Sequence, residues 1–236
     1  MADKRNLVIN GSGSSGGGSF HKINIRGEGT ITTDFDCEIF KTFGTSGILK
    51  NGKANKFEIF GETEVHGNLD SQQMKIFGTT EVDGSVHVGK AKVWGTLEVG
   101  KGFYGEEADI KGSLSVKGDA EFETFRSSGA FDIKGLLNAG TIEVNVRYGQ
   151  SSANEIGGDK ITVKKKRSFF PFMKGEGSLQ VKIIEGDDIF LENTIADIVR
   201  GNNVQIGSGC EIKMVEYKNS YKVNPESTVV EYKKMS

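Results

Sequence analysis

Seven glycines recur at a step of seventeen residues, Gly27, Gly44, Gly61, Gly78, Gly95, Gly112 and Gly129, with no insertion or deletion between them. Four residues after each stands a β-branched residue: Ile31, Ile48, Val65, Val82, Val99, Val116 or Ile133. A period this strict leaves a chain little beyond stacking like units, because each unit buries its apolar side only against the next. Within a unit, apolar residues fall at the second, fourth, eighth, tenth, thirteenth and fifteenth positions after the glycine. Leu114, Val116, Ala120, Phe122 and Phe125 follow the pattern, with Ser127 the polar exception. Residues two apart share one face of a strand, so three pairs predict three short strands per unit. Glycine or polar residues lie between the pairs (Gly67, Gly84, Gly118, Gly135, Gly140), where the chain turns and glycine tolerates positive φ. The expected fold is all-β: a three-sided parallel β-helix of seventeen residues per coil, with coils ~4.8 Å apart. Large and small residues trade places at the eighth and tenth positions, Phe103 with Gly105, Ala120 with Phe122, Phe35 with Cys37. Such exchange is expected of a packed interior of fixed width, not of a ligand cavity.

This period divides the chain. Residues 1–20 read as a flexible Gly/Ser-rich N-terminal tail. Gly11, Gly13 and Gly16 spell GxGxxG, but the phosphate-binding form of that motif needs a helix next, and Gly17-Gly18-Ser19-Phe20 cannot start one. Residues 21–163 form the main array, whose weaker eighth coil places Tyr148, Ile156 and Ile161 near inward positions. Residues 164–177 are a basic-aromatic insertion containing Lys164, Lys165, Lys166, Arg167, Phe169, Phe170 and Phe172. That composition suits a loop docking on a membrane surface or partner, or a bulge whose rings fold back onto the coils. Residues 178–236 read as a C-terminal extension of similar coils. The step returns there as Val181, Ile198, Val215 and Tyr232, as Ile189, Ile206 and Val223, and as Ile195, Ile212 and Val229. Continuation of one stack and a second short β-helix both fit. Aromatics also precede four of the glycines (Phe43, Phe60, Phe77, Trp94), either as an exposed ladder or as corner filling.

Composition excludes several function classes. Thirty basic against 32 acidic residues give a net charge of −2 with no basic face in the array, which argues against nucleic acid. Cys37 and Cys210 form no CxxC pair, the start carries no signal-peptide core, and no run approaches a membrane span, so a cytoplasmic location is expected. His21, His66 and His87 occupy different phases and share no column, so no metal site is expected. Val204 to Ile212 resembles a hexapeptide-repeat acyltransferase stretch, yet the last histidine is His87 and the step is seventeen. The chain therefore reads as a non-enzyme with no cofactor and no small-molecule substrate.

Uninterrupted coils of this length, with glycine and β-branched residues at fixed phases and no catalytic set, resemble bactofilins, the polymer-forming bacterial cytoskeletal proteins. The resemblance covers Gly27 to Val144. It implies a right-handed β-helix, in line with right-handed parallel crossovers, that stacks end to end into nucleotide-independent filaments. It further implies a homopolymer, with or without a paralogue, peripheral to the inner membrane surface, that supports cell shape, envelope or appendage (flagellar) assembly. The alternative is a non-polymerising β-helical adaptor that displays ladders to protein partners at the membrane. A coil stack leaves backbone groups and an apolar cross-section open at each end. Phe35, Cys37 and Phe40 near one end of the regular array, and Ile142 and Val144 near the other, are the expected polymer contacts.

Overall fold

A computed structural model describes residues 5–147, 149–165 and 177–236; these contain no helix. The chain divides into two compact units, Met1–Gly118 and Asp119–Ser236.

The first unit opens with β1 (Arg5–Ser15) and β2 (Gly18–Ile31). Eight- and four-residue strands then alternate: β3 (Phe35–Thr42), β4 (Thr45–Ile48), β5 (Gly52–Ile59), β6 (Glu62–Val65), β7 (Leu69–Ile76), β8 (Thr79–Val82), β9 (Val86–Val93), β10 (Thr96–Val99), β11 (Phe103–Ile110) and β12 (Ser113–Val116). Every pairing is parallel. Phe35, Gly52, Leu69, Val86 and Phe103 align across β3, β5, β7, β9 and β11, and the short strands pair likewise. This is the predicted parallel β-helix. β3, β5, β7 and β9 bury their first and third and their sixth and eighth residues, with two outward residues between them that mark a bend; β11 departs only at Gly105, which is half-buried. With the pair from the short strand, each coil has three inward pairs and hence three sides.

Packing explains the sequence columns. A Cβ on Gly52 would lie 3.0 Å from the Phe35 ring and 3.1 Å from Leu69, so those two large side chains fill the volume the glycine leaves. Phe40 stacks on Phe57 at 4.7 Å between ring centroids. The positive φ expected at the turn glycines Gly67, Gly84, Gly118, Gly135 and Gly140 is adopted by none of them, and the repeat glycines have another cause. In the first unit only Gly11, Gly18 and Gly27 adopt that conformation. At Gly44, Gly61, Gly78, Gly95 and Gly112 a Cβ would fall on the carbonyl oxygen of the glycine one coil earlier. Close approach of backbones, not left-handed geometry, requires glycine there. Another corner is tied by a polar ladder. Asp34 Oδ1 accepts from the Asn51 amide at 2.8 Å, Asn51 Oδ1 from the Asn68 amide at 2.9 Å, and Asn68 Oδ1 from the Ser85 amide at 2.9 Å.

The expected flexible tail is instead structured from Arg5: β1 pairs in parallel with β2, Leu7 over Ile23 and Ile9 over Ile25. Glycine and serine accept an extended backbone as readily as a disordered one. Two apolar residues in register decide for the strand.

The second unit contains β13 (Ala120–Ser127), β14 (Ala130–Val146), β15 (Gln150–Lys165), β16 (Ser178–Leu191), β17 (Thr194–Ile206), β18 (Glu211–Val223) and β19 (Thr228–Lys234), each paired in parallel with the next. β15 aligns directly with β16, Ile161 beside Ile189, so the stack continues past the insertion. Ile156 and Ile161 are buried as expected; Tyr148 lies outside the described residues. The register departs from the expected seventeen at several steps: nineteen to twenty residues from β14 to β15, twenty-eight across the insertion, fifteen from β16 to β17, and sixteen passing to seventeen from β17 to β18. Val181 aligns with Ala196 and Ile189 with Val204, fifteen residues on. The expected Val181–Ile198, Ile198–Val215, Ile189–Ile206 and Ile195–Ile212 neighbours do not form, while Val215–Tyr232, Ile206–Val223 and Ile212–Val229 do. A coil shortened by two residues keeps the inward parity of every strand, because side chains alternate with a period of two.

Candidate functional site

Of the described strands, two have a single partner in this pairing, one in each unit. Among the described strands, β1 pairs with β2 alone. Leu7 is half-buried and Ile9 buried, and the Arg5 guanidinium lies 5.4 Å from the centroid of Phe20. From Asn10 onward β1 is largely exposed glycine and serine, presenting a polar strand edge.

In the second unit β19 pairs with β18 alone among the described strands. Register places Val223 under Ile206, Tyr221 under Val204 and Tyr232 under Val215, all in inward columns. Yet Val223 is 45% and Tyr232 63% exposed. Tyr217, Tyr221 and Tyr232 form a ring cluster with centroids 5.4 and 5.1 Å apart. Burial, and then the neighbouring Tyr232 and Tyr217 phenols, pushes the Tyr221 hydroxyl up. Glu216 ties these strands together from the outer side, accepting from Lys233 Nζ at 2.6 Å and Arg200 Nε at 2.5 Å. Arg200 also reaches Glu185 at 3.2 Å. The bonds from Lys233 and Arg200 hold the Glu216 carboxyl below the usual carboxylate range.

A second surface lies on the first unit. Phe43, Phe60, Phe77 and Trp94 stack at 5.1, 4.9 and 4.6 Å with nearly parallel rings, and each is 37–49% exposed. They form an outward ladder and do not fill the corner. Arg26 and Lys111 occupy the same position one coil before and one coil after, at 5.9 Å from Phe43 and 5.5 Å from Trp94. Lys41 Nζ sits 5.1 and 4.8 Å from the Phe43 and Phe60 centroids.

The residues expected to form polymer contacts are internal. Phe35, Cys37 and Phe40 lie in β3, covered by β2 on one side and β5 on the other, and all three are buried. Ile142 and Val144 lie in β14 between β13 and β15 and are equally buried. The first error follows from reading β1 as a tail, the second from placing an end where the regular glycines stop. The open layer is carried by Val223 and Tyr232, with Tyr221 and Val229 half-buried beside them. Its signal in the sequence is that these residues hold inward phases of the last strands. Of the basic-aromatic insertion, Lys164 and Lys165 are exposed at the end of β15, where the Lys165 amide donates to Glu192 Oε2 at 2.7 Å. Lys166, Arg167, Phe169, Phe170 and Phe172 lie outside the described residues.

Elsewhere the surface offers little chemistry. An open groove brings Asp70, His87 and Tyr104 together: His87 Nδ1 lies 3.5 Å from Asp70 Oδ1 and its ring stacks on Tyr104 at 5.2 Å. His21 faces Glu38 and His66 faces Asp83 on separate coils. Among the described residues, no three His, Cys, Asp or Glu side chains converge as a metal site. Burial pushes the Cys210 thiol up, away from the thiolate a nucleophile needs. No helix among the described residues is long and apolar enough to cross a membrane.

No family model matches the chain, and no solved structure matches it. Two Bacillus subtilis (strain 168) proteins do. "Uncharacterized protein YhbF" is 45% identical over 101 residues, 43% of this chain and 42% of that protein, so the chain spans less than half of that relative's length. "Uncharacterized protein YhbE" is 53% identical over 225 residues, which cover 94% of this chain and 95% of that protein. At that identity over nearly the whole of both sequences, the chain belongs to the YhbE family.

Proposed function

We propose that this protein is a structural scaffold of the bactofilin kind, which assembles end to end through its outermost rungs without nucleotide and without catalysis. One observation carries the reading: Val223 and Tyr232 stand in inward columns and are nonetheless open to solvent. An exposed apolar layer beside a free strand edge is covered most simply by another strand of matching pitch. β1 offers a second open edge, and its polar face disfavours association of monomers through that rung by apolar contact alone. Nucleotide independence is supported by the GxGxxG run, which lies in and just after β1 and leads into β2 rather than into a helix. On this reading the polymer serves cell shape, envelope or appendage assembly, at the cytoplasmic face of a membrane that the Lys164 to Phe172 segment contacts.

Negative-stain microscopy of purified protein without nucleotide tests the proposal, with Tyr232→Asp compared to wild type. Wild type should form filaments, and the buried charge should shorten or abolish them. Filaments of unchanged length in the variant, or a monodisperse wild-type monomer at micromolar concentration, would sink it.

A further inference from the structure

The aromatic ladder separates two walls of opposite charge. On one side, the two outward columns of β3, β5, β7 and β9 nearest the ladder carry Lys41, Lys56, Lys75, Lys90 and Lys92 and one acid, Glu58, which pairs with Lys41 and Lys75. On the other side, the two outward columns that run from β2 through β4, β6, β8 and β10 to β12 carry Glu28, Glu62, Glu64, Glu81 and Glu98 and no lysine or arginine. Glu64, Glu81 and Glu98 sit directly above one another in register. Among the described residues, none of these three has an ion-pair partner, although stacked like charges at strand spacing repel. No ion pair among the described residues relieves that repulsion.

We infer that the ladder is a self-docking surface, on which a second copy of this chain lies side by side and parallel to the first. The occupant follows from pitch and charge. The rings repeat at 4.6–5.1 Å, which is the strand spacing, and a second copy presents apolar edges at the same interval over four coils. Orientation follows from symmetry. A two-fold axis along the stacking direction sets the lysine wall of each copy against the glutamate wall of the other. A two-fold axis across that direction sets lysine against lysine and glutamate against glutamate. Only the parallel arrangement relieves the glutamate column, and charge pairing of this kind selects register and partner more than it adds affinity. Four half-exposed rings offer on the order of 300–400 Å², short of the ~800 Å² per partner of a stable interface. The walls must join the contact, and pairing is weak unless many copies are already aligned. This surface involves neither β1 nor β19, so its existence does not depend on end-to-end assembly.

Cysteine cross-linking decides between arrangements, since native Cys37 and Cys210 are buried. Under mild oxidation Phe43→Cys alone and Trp94→Cys alone should each give a disulfide-linked dimer, because two-fold parallel docking places equal rungs opposite. Cross-linking only in a mixture of the two variants would mean antiparallel docking and overturn the inference, as would no cross-link in any combination. Adding Glu64→Lys with Glu81→Lys should abolish the dimer, and further adding Lys75→Glu with Lys92→Glu should restore it. A yield indifferent to these inversions also overturns it. Wild-type protein mixed in two isotopic forms and treated with a carbodiimide provides a readout independent of any substitution. Links between Lys75 or Lys92 of one form and Glu64 or Glu81 of the other are expected, and their absence counts against the pairing.

Discussion

At the residue scale the molecule is governed by what stands one coil above and one coil below. Phe57 is acceptable because Phe40 stacks flat upon it, and Gly52 because Phe35 and Leu69 fill its place. The corner glycines are the least replaceable. A Cβ on Gly78 meets the Gly61 carbonyl, which is backbone and cannot rotate away. Gly78→Ala should therefore cost about 2–4 kcal/mol, seen as a lower urea midpoint with unchanged slope. A loss under about half a kcal/mol would show that this corner has room. The glycine column was legible in the sequence, and its reason was not. A repeat reveals that glycine is required, but only backbone-to-backbone distance separates close approach from positive φ.

At the element scale the outermost strands differ from those between them because each has one neighbour in place of two. β19 is held by its pairing with β18 and by the Lys233–Glu216 bond, with Arg200 on the far side of the same carboxylate. The folded carboxyl titrates below the ordinary 4.5 of a glutamate. Its contribution is therefore complete above that value and is lost as pH falls through the lower folded value. Protection of the β19 amides, corrected for the intrinsic pH dependence of exchange, should fall on acidification from pH 6 to below about 4, and Glu216→Gln should flatten that dependence. Equal pH profiles in the two proteins would remove the clamp from the account. Strand β1 shows why an end is hard to read in advance. Asn10 to Ser15 has the composition of a linker, and only Leu7 and Ile9, matched to Ile23 and Ile25, reveal that the segment is paired. The fifteen-residue coil from Val181 to Ala196 was hidden for a related reason. A shift by two preserves alternation, so the apolar pattern looks in step with seventeen while the vertical neighbours change.

At the scale of the whole molecule, a periodic sequence specified the class of fold and the inward phases almost completely, because each coil repeats the same packing problem. Where the stack stops is not a periodic property. Phe35 and Val144 carry the same residue types as true terminal layers would, and only the pairing of β2 above the one and β15 below the other shows them to be interior. Regular register has a further effect on the first unit. From β3 to β12 every coil meets the next at the same seventeen-residue offset, Phe60 following Ile59 as Phe77 follows Ile76. Excising residues 61–77 joins Phe60 to Gly78 and sets each remaining side chain on a neighbour of the same phase. Such a protein should fold with unchanged far-UV circular dichroism per residue, whereas removing sixteen residues should not, since every later side chain would then face the wrong way. Length in this region is thus free to change by whole turns only, much as a screw can be cut to any number of threads but not between them.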